Sequence, residues 1–325
     1  MESSEEIPPG LPTATLLRDV TDTERASFDA DGVAHLKNIY PTVWTDYLEY
    51  QLDDIFDAHR DRDLHLRSFS GEREQGARVD MAVLALDLRE ANPGLEVALE
   101  GGADADVVGR SIVETDAAHW HPGIRAHHLA GPIPDLIASL TGSAKVNFYS
   151  DQLFLKEPGS RMRTPFHQDE PYFLVQGQVA VAWVPVDVVG PTNGPMGYVK
   201  GSHRWGRVFK PSDLITDTGT FFEVDGIDHS ALDLMPPITP DTHDVVYFDA
   251  QPGDVIVHHW STIHGAAGNV SATATRRAAS IRYAVGDSTY YQRPSSPEPF
   301  RHSLNLRDGD PLENADRFPI VWPRN

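Results

Sequence analysis

The chain has 325 residues, 40% of them hydrophobic, and sets 48 acidic side chains against 27 basic ones for a net charge of −21. The apolar share suits a packed core and excludes a disordered tail, and the length fits one large domain or two small ones. A field of this sign repels nucleic acid and anionic membranes, so neither is expected as a partner.

There are no cysteines, which excludes disulfides, thiolate metal sites, iron–sulfur clusters and a thiol nucleophile. Any metal must be held by His, Asp or Glu. The most apolar segment, Val179 to Val189, is interrupted by Pro185 and Asp187, far short of the roughly 18 apolar residues that span a bilayer. The acidic start, Met1 to Pro9, lacks the basic and then apolar pattern of a signal peptide, and the cytoplasm is the expected location.

In chain order, Thr21-Asp-Thr-Glu24 has the form of a capping box opening a short helix. Asp31-Gly32 turns into a strand from Val33 to Ile39. From Pro41 to about His59 the residues Val43, Trp44, Tyr47, Leu48, Leu52, Ile55 and Phe56 recur at three- and four-residue spacing, which predicts an amphipathic helix with proline at its start. Glycines and acids between 90 and 110 predict a surface loop, and Pro132 to Leu140 a further helix stopped by Gly142.

From residue 145 the texture becomes short strands punctuated by Gly and Pro, expected at 146–156, 171–175, 178–188, 196–199, 244–249, 254–259 and 276–285. Many short strands predict a sandwich or barrel rather than a parallel sheet. The expected layout is mainly β with flanking helices. It comprises an α-rich part (1–144), a β core (145–290) and a C-terminal extension (291–325). No linker separates the parts, so one domain over 1–325 is expected.

Most of the 15 histidines need a plain explanation. His119, His121, His127 and His128 crowd one segment without a carboxylate spaced to close a site, and are read as structural. In the apolar strand carrying His258-His259, alternation lets at most one face a central cavity; a core or supporting role is expected there. His167-Gln168-Asp169 differs, because a His and an Asp two apart on an extended segment share a face and can grip one cation. Far downstream His264 closes a strand. Two histidines and one carboxylate leave one face of an octahedral iron(II) open. Beyond His264 come Arg276, Arg277 and Arg282, candidates to meet the far end of a dicarboxylate that chelates the metal. Alternation puts 276 and 282 on one face of a strand and 277 on the other.

Together these residues resemble the phytanoyl-CoA dioxygenase family of iron(II)- and 2-oxoglutarate-dependent oxygenases, over about residues 20 to 290. The resemblance is carried by Asp151 to Gly159, Phe166-His-Gln-Asp-Glu-Pro-Tyr-Phe173, Gly194 to Trp205, and Gly253 to Tyr283 with its His264-Gly265, Asn269 and Arg-Arg-Ala step. It implies a double-stranded β-helix (jelly-roll, cupin-like) core. It makes His167, Asp169 and His264 the iron ligands and puts the 2-oxoglutarate arginine on Arg276. Arg277 stays an alternative, since the preceding loop looks one residue longer here. Gln152 and Trp183 fall where the family contacts 2-oxoglutarate. Where the family often has a serine two residues after the second histidine, this chain has Ala266, so one hydrogen bond to the co-substrate must be absent or replaced.

The cofactors so implied are Fe(II), 2-oxoglutarate and O2. The implied reaction is hydroxylation of an unactivated C–H bond of a small metabolite or natural-product intermediate, with release of succinate and CO2. Asp169 favours hydroxylation over halogenation, since related halogenases lack this carboxylate. Desaturation, epimerisation and cyclisation use the same triad and stay open, as does a metal-dependent hydrolase or isomerase on a similar barrel. A catalytically silent binding protein would have lost a ligand, and none is lost. Lys156 is read as a strand-end residue, Gly201 to Trp205 as a turn, and Tyr172 and Phe173 as either cavity wall or barrel filling. The segments 60–115 and 210–243 are the expected lid pieces. Composition says nothing about oligomeric state.

Overall fold

The structure is a computed structural model that describes residues 7–58, 78–92, 94–102, 105–216, 228, 230–296, 304–312 and 316–324. Helix α1 (Asp22–Asp31) opens on the expected capping box. The Thr21 hydroxyl accepts from the Glu24 N–H at 3.2 Å, and the Glu24 carboxylate accepts from the Thr21 N–H at 2.8 Å. Gly32, at φ 75°, ends the helix and turns the chain into β1 (Val33–Leu36).

The next expected helix is two pieces. α2 (Thr42–Asp53) buries Trp44, Leu48 and Leu52, and a π-helical turn, Asp54–Ala58, then keeps Ile55 and Phe56 inside. Beyond it, β2 (Arg78–Asp80) leads into α3 (Met81–Ala91), capped by the Asp80 carboxylate, which accepts from the Ala82 and Val83 N–H groups. Neither was expected from the sequence. β3 (Ser111–Thr115) and α4 (Pro122–Ala130) precede α5 (Ile133–Thr141), which stops at left-handed Gly142.

The remaining strands are β4 (Val146–Lys156), β5 (Thr164–His167), β6 (Val175–Pro185), β7 (Met196–Val199), β8 (Val245–Tyr247), β9 (Val255–His259), β10 (His264–Ala266), β11 (Arg276–Tyr290) and β12 (Ile320–Trp322). They form two antiparallel sheets. The larger runs β1-β9-β6-β11-β4-β3-β2, with β12 paired to β4, and the smaller runs β5-β10-β7-β8. This is the jelly-roll core, mainly β with helices on its flank. The expected strand at 171–175 is corrected: Pro171 lacks an N–H for a ladder, and Glu170–Tyr172 is a 3₁₀ turn. β6 accordingly starts at Val175 and ends at Pro185. β5 and β10 were not expected as separate strands: β9 ends at His259, and His264, expected to close a strand, opens β10.

One apolar cluster joins Phe28, Trp44, Leu48 and Leu136 of the helices to Phe148, Ala182, Val257 and Ile281 of the larger sheet. The helices therefore cover the outer face of that sheet, and its inner face is left to meet the smaller one. Among the described residues no helix is long and apolar enough to cross a membrane.

Candidate metal centre

β5 and β10 pair so that His167 lies directly opposite His264, but the next pair is Thr164 opposite Ala266. Three steps on β5 against two on β10 is a bulge. Pro165, with no N–H to give to the ladder, sits inside it. The bulge leaves the Pro165 carbonyl for His167, whose Nδ1 lies 2.9 Å away, and the Thr262 carbonyl takes His264 Nδ1 at 2.9 Å in the same way. A carbonyl can only accept, so both Nδ1 atoms carry the proton and both Nε2 atoms keep their lone pairs in the neutral rings.

Those lone pairs converge. Asp169 Oδ1 is 3.7 Å from His167 Nε2 and 4.0 Å from His264 Nε2, and one ligand atom from each of the three residues lies within 4.8 Å of the others. All three side chains are buried. The shared face arises differently from the expected extended segment. The strand ends at His167, and Asp169, with φ −78° and ψ −28°, begins the 3₁₀ turn that swings its carboxylate back.

Burial, joined by His264 beside His167 and by His258 beside His264, brings each of the two ligand histidines down to about 4. Both are therefore neutral at pH 7, as metal donors must be. Burial alone would raise Asp169, but His258, His264, Arg282 and His167 hold it below the usual carboxylate range.

β11 crosses between β4 and β6 and carries Arg276, Ser280 and Arg282 on its inner face. Arg276 is 1% exposed. It gives Nε and Nη2 to the Gly194 carbonyl at 3.2 and 3.1 Å, and its Nη1 has no hydrogen-bond partner among the described residues. Its guanidinium lies 5.5 Å from the Trp183 ring centroid, and burial pulls its pKa down to about 10. Among the described residues no carboxylate touches it. Arg277 faces the other way and is engaged by the carboxylates of Asp187, Glu49 and Asp53. Asn269 ties this corner together, giving its amide to the Lys156 and Ala274 carbonyls.

The inner cavity is lined by the triad together with Gln152, Trp183, His258, Ala266, Arg276 and Arg282, among others. Gln152 Oε1 accepts from Arg282 Nη2 at 2.5 Å. Trp183 Nε1 is buried without a partner among the described residues, as is the Tyr198 hydroxyl. Every residue singled out as ligand or co-substrate contact therefore reaches one cavity, and Arg277 does not.

Lys156 is buried beside Arg276 and gives its ammonium to the Met162 and Ala267 carbonyls at 2.6 and 2.8 Å. Phe173 fills the barrel under Arg282. Tyr172 anchors its hydroxyl on Ser212, with its ring edge-on to His167. Gly201 to Trp205 is indeed a turn, and its Ser202 hydroxyl accepts from the Ile263 N–H to steady the start of β10. His127 and His128 are fully buried, joined through their Nδ1 atoms at 2.9 Å, and His127 Nε2 meets the Tyr40 hydroxyl at 2.7 Å.

Leu214 left no mark in the sequence reading, and of His258 and His259 that reading did not say which faces in. Leu214 lines the inner cavity with a left-handed backbone, φ 59°. It is held there by Asp213, whose carboxylate caps the Ile215 and Thr216 N–H groups. His258 lines the cavity from β9, whereas His259 points out against His203.

Outside the inner cavity, and sharing Thr164 and Ala266 with it, is a cleft of about 560 Å3. It is walled by Phe166, Tyr247 and the proline-rich run Leu234 to Pro240, with Glu100 and Arg163 as its charged groups. Of the expected lid pieces, the second thus supplies a wall of this cleft. Residues 59–77, 93, 103–104, 217–227 and 229 lie outside the described residues.

The architecture is similar to that of the non-heme α-ketoglutarate-dependent carbocyclase SnoK from nogalamycin biosynthesis. That pair is 20% identical, covers 95% of this chain and all of that one, and has a TM-score of 0.63. The epimerase SnoN, solved in complex with Fe3+, α-ketoglutarate and nogalamycin RO, is 19% identical over 92% of this chain and 98% of its own, with a TM-score of 0.61. EvdO2 from Micromonospora carbonacea var. aurantiaca is 17% identical over 87% of this chain and all of its own, at a TM-score of 0.53. These likenesses are of fold. In sequence, residues 28–278 match the phytanoyl-CoA dioxygenase (PhyH) family, and the chain belongs to that family.

Proposed function

We propose that the protein is an iron(II)- and 2-oxoglutarate-dependent dioxygenase that hydroxylates an unactivated C–H bond of a small metabolite or natural-product intermediate, acting as one catalytic domain. The observation that carries this reading is a pair of histidines whose tautomers are fixed with both lone pairs turned toward one buried carboxylate, in the same cavity as a buried guanidinium that no carboxylate touches among the described residues.

His167, Asp169 and His264 would hold the iron, which with 2-oxoglutarate and O2 supplies the oxidising power and leaves succinate and CO2 as co-products. The chain's own residues do the rest. Asp169 contributes the one negative charge of the donor set. Arg276 offers Nη1 to the far carboxylate of the co-substrate while Gly194 holds the other two nitrogens. Trp183 Nε1 is a second donor in the same cluster, and Gln152 reaches the cavity alongside Arg282. With Ala266 at the serine position, the Tyr198 hydroxyl in the same apolar cluster can replace the missing donor. Burial of the whole set keeps bulk water away and strengthens each polar contact.

The outer cleft is of the size that holds small-molecule ligands, roughly 300–1,000 Å3. Its apolar walls suit a substrate with a broad uncharged surface better than a polyanionic acyl-CoA. A second outcome on the same site, ring closure or epimerisation, is kept because SnoK and SnoN share this fold.

The test is an anaerobic titration of Fe(II) with 2-oxoglutarate, followed through the weak visible metal-to-ligand charge-transfer band, in wild type and His167→Ala. A band present in wild type and lost in the variant supports the reading. No band from folded, metal-loaded wild type turns the assignment to a metal-dependent hydrolase or isomerase. Product analysis after a succinate-release screen then separates hydroxylation from ring closure or epimerisation.

A further inference from the structure

His258 is 1% exposed, and both of its ring nitrogens are without a hydrogen-bond partner among the described residues. A buried imidazole left so is costly and calls for a reason. Its surroundings supply one. β9 is clamped on both sides, His258 standing opposite Val33 of β1 and Val181 of β6, and the strand's phase turns its ring into the cavity. There the ring lies 4.3 Å from the His264 ring, centroid to centroid, and its Nε2 is 3.7 Å from Asp169 Oδ2.

The two oxygens of Asp169 are thus divided. Oδ1 faces the Nε2 atoms of His167 and His264, whereas Oδ2 faces His258 and has no hydrogen-bond donor among the described residues. His258 does not join the tight group of candidate ligand atoms; it stands behind the carboxylate. It differs from the two ligand histidines in a second way. Their Nδ1 protons are committed to backbone carbonyls, which forces lone pairs onto Nε2. Among the described residues no such carbonyl holds His258 Nδ1, so its ring can carry the proton on Nε2 and point it at the carboxylate.

We infer that His258 is a positioning residue for the metal site proposed above: its Nε2–H donates to Asp169 Oδ2 and confines that carboxylate to a one-oxygen grip through Oδ1. The present 3.7 Å must shorten to about 3 Å for a hydrogen bond. A carboxylate so tethered cannot swing to chelate the metal with both oxygens, and the open face of the site stays free for the co-substrate.

The experiment compares wild type, His258→Phe, which keeps a flat ring without a donor, and His258→Gln, which keeps an N–H donor, all free of metal at the start. Fe(II) affinity is read anaerobically by competition with a chromophoric chelator, and coordination number by the intensity of the Co(II) visible bands. The expected result is a 10- to 100-fold loss of Fe(II) affinity in H258F, the usual cost of losing such a support, with weaker, more six-coordinate Co(II) bands and with H258Q restored to within about threefold of wild type. Should H258F fail to fold, His258→Leu takes its place beside H258Q.

Wild-type affinity and spectrum in the donor-less variant overturn the inference, and so does an H258Q as weak as H258F, which would make the ring itself and not its proton the essential part. If wild type binds no Fe(II), the metal site fails and takes this inference with it. If wild type binds and H258F binds equally, only the inference falls.

Discussion

Arginines 276 and 277 are neighbours in sequence with opposite assignments, so a matched pair of substitutions separates them. Arg276 spends two nitrogens on the Gly194 carbonyl and has one left toward the cavity. In Arg276→Lys a single ammonium must choose between that carbonyl and the incoming carboxylate, so about one charge-assisted hydrogen bond is lost. Such a bond is worth about 1.5–3 kcal/mol, and at about 1.4 kcal/mol per factor of ten the 2-oxoglutarate dissociation constant should rise roughly 10- to 100-fold. Arg277→Lys breaks the fork on Asp187, where the two contacts are 3.0 and 2.7 Å, and the bridge to Glu49. Those partners are partly solvated, so the loss is about 1 kcal/mol of stability, or about 2–4 °C in Tm. Anaerobic titration of the Fe(II)·2-oxoglutarate band gives the first quantity and thermal unfolding the second. A dissociation constant unchanged in R276K, or raised tenfold in R277K, refutes the assignment.

Gly265 faces the bulge on β5, and a Cβ there would come within 2.7 Å of the Thr164 carbonyl and 3.2 Å of the Phe166 nitrogen. Gly265→Ala should therefore push β5 off β10, costing about 1–3 kcal/mol of stability and weakening Fe(II) binding; unchanged thermal unfolding and metal affinity would count against the packing described. Acid should unfold the metal-free protein early. Burial holds His127 and His119 down at about 3, His259 at about 4, and His128 well below its usual value. The unfolded chain takes up these protons near pH 6.5, so the stability they contribute is complete above that pH and is lost as pH falls toward 4, by about 1.4 kcal/mol each at pH 5.5. Asp151, pushed up to about 7 by burial and Asp116, works in the opposite sense, by about 2 kcal/mol over pH 7.5 to 5.5. The histidines outweigh it, and the metal-free His167 and His264, each down at about 4, add to them, so Tm should fall between those pH values; a flat profile would mean that the histidines are charged inside the fold. Finally, a surface of net charge −21 should slow the approach of dianionic 2-oxoglutarate, so its association rate, followed by stopped flow, should rise with salt; a fall would place a dominant cationic field at the entrance.

What the sequence revealed follows from what each signal depends on. β4 was legible end to end because eleven consecutive residues form one strand, and α1 because its cap is a local reciprocal pair. β5 and β10 were not, since strands of four and three residues containing Pro165 or Gly265 are too short for alternation to register. The pairing of His167 with Asp169 was right for an incomplete reason: the carboxylate returns through a turn, not along a strand. For His258-His259 strand alternation allows only one to face in, but which one depends on how β9 is phased between β1 and β6. Those are contacts far apart in the chain. Leu214 left no trace at all, because its left-handed backbone rests on Asp213 side-chain bonds and not on a glycine.

The charge of the chain and the charge of its site have opposite signs, and the fold explains how both persist. Acidic residues outnumber basic ones over the whole sequence, yet the inner cavity is lined by two guanidiniums, Arg276 and Arg282, against the one carboxylate of Asp169. With water excluded, a guanidinium in such a wall acts on a bound carboxylate far more strongly than the screened acids outside can oppose it. A divalent cation on the triad raises that excess further, and a dicarboxylate reduces it again. The surface field therefore bears on how fast an anion arrives and the inner wall on whether it stays. For that reason the acidic composition, which argues against polyanionic partners at the surface, is no argument against a small dianion inside the barrel.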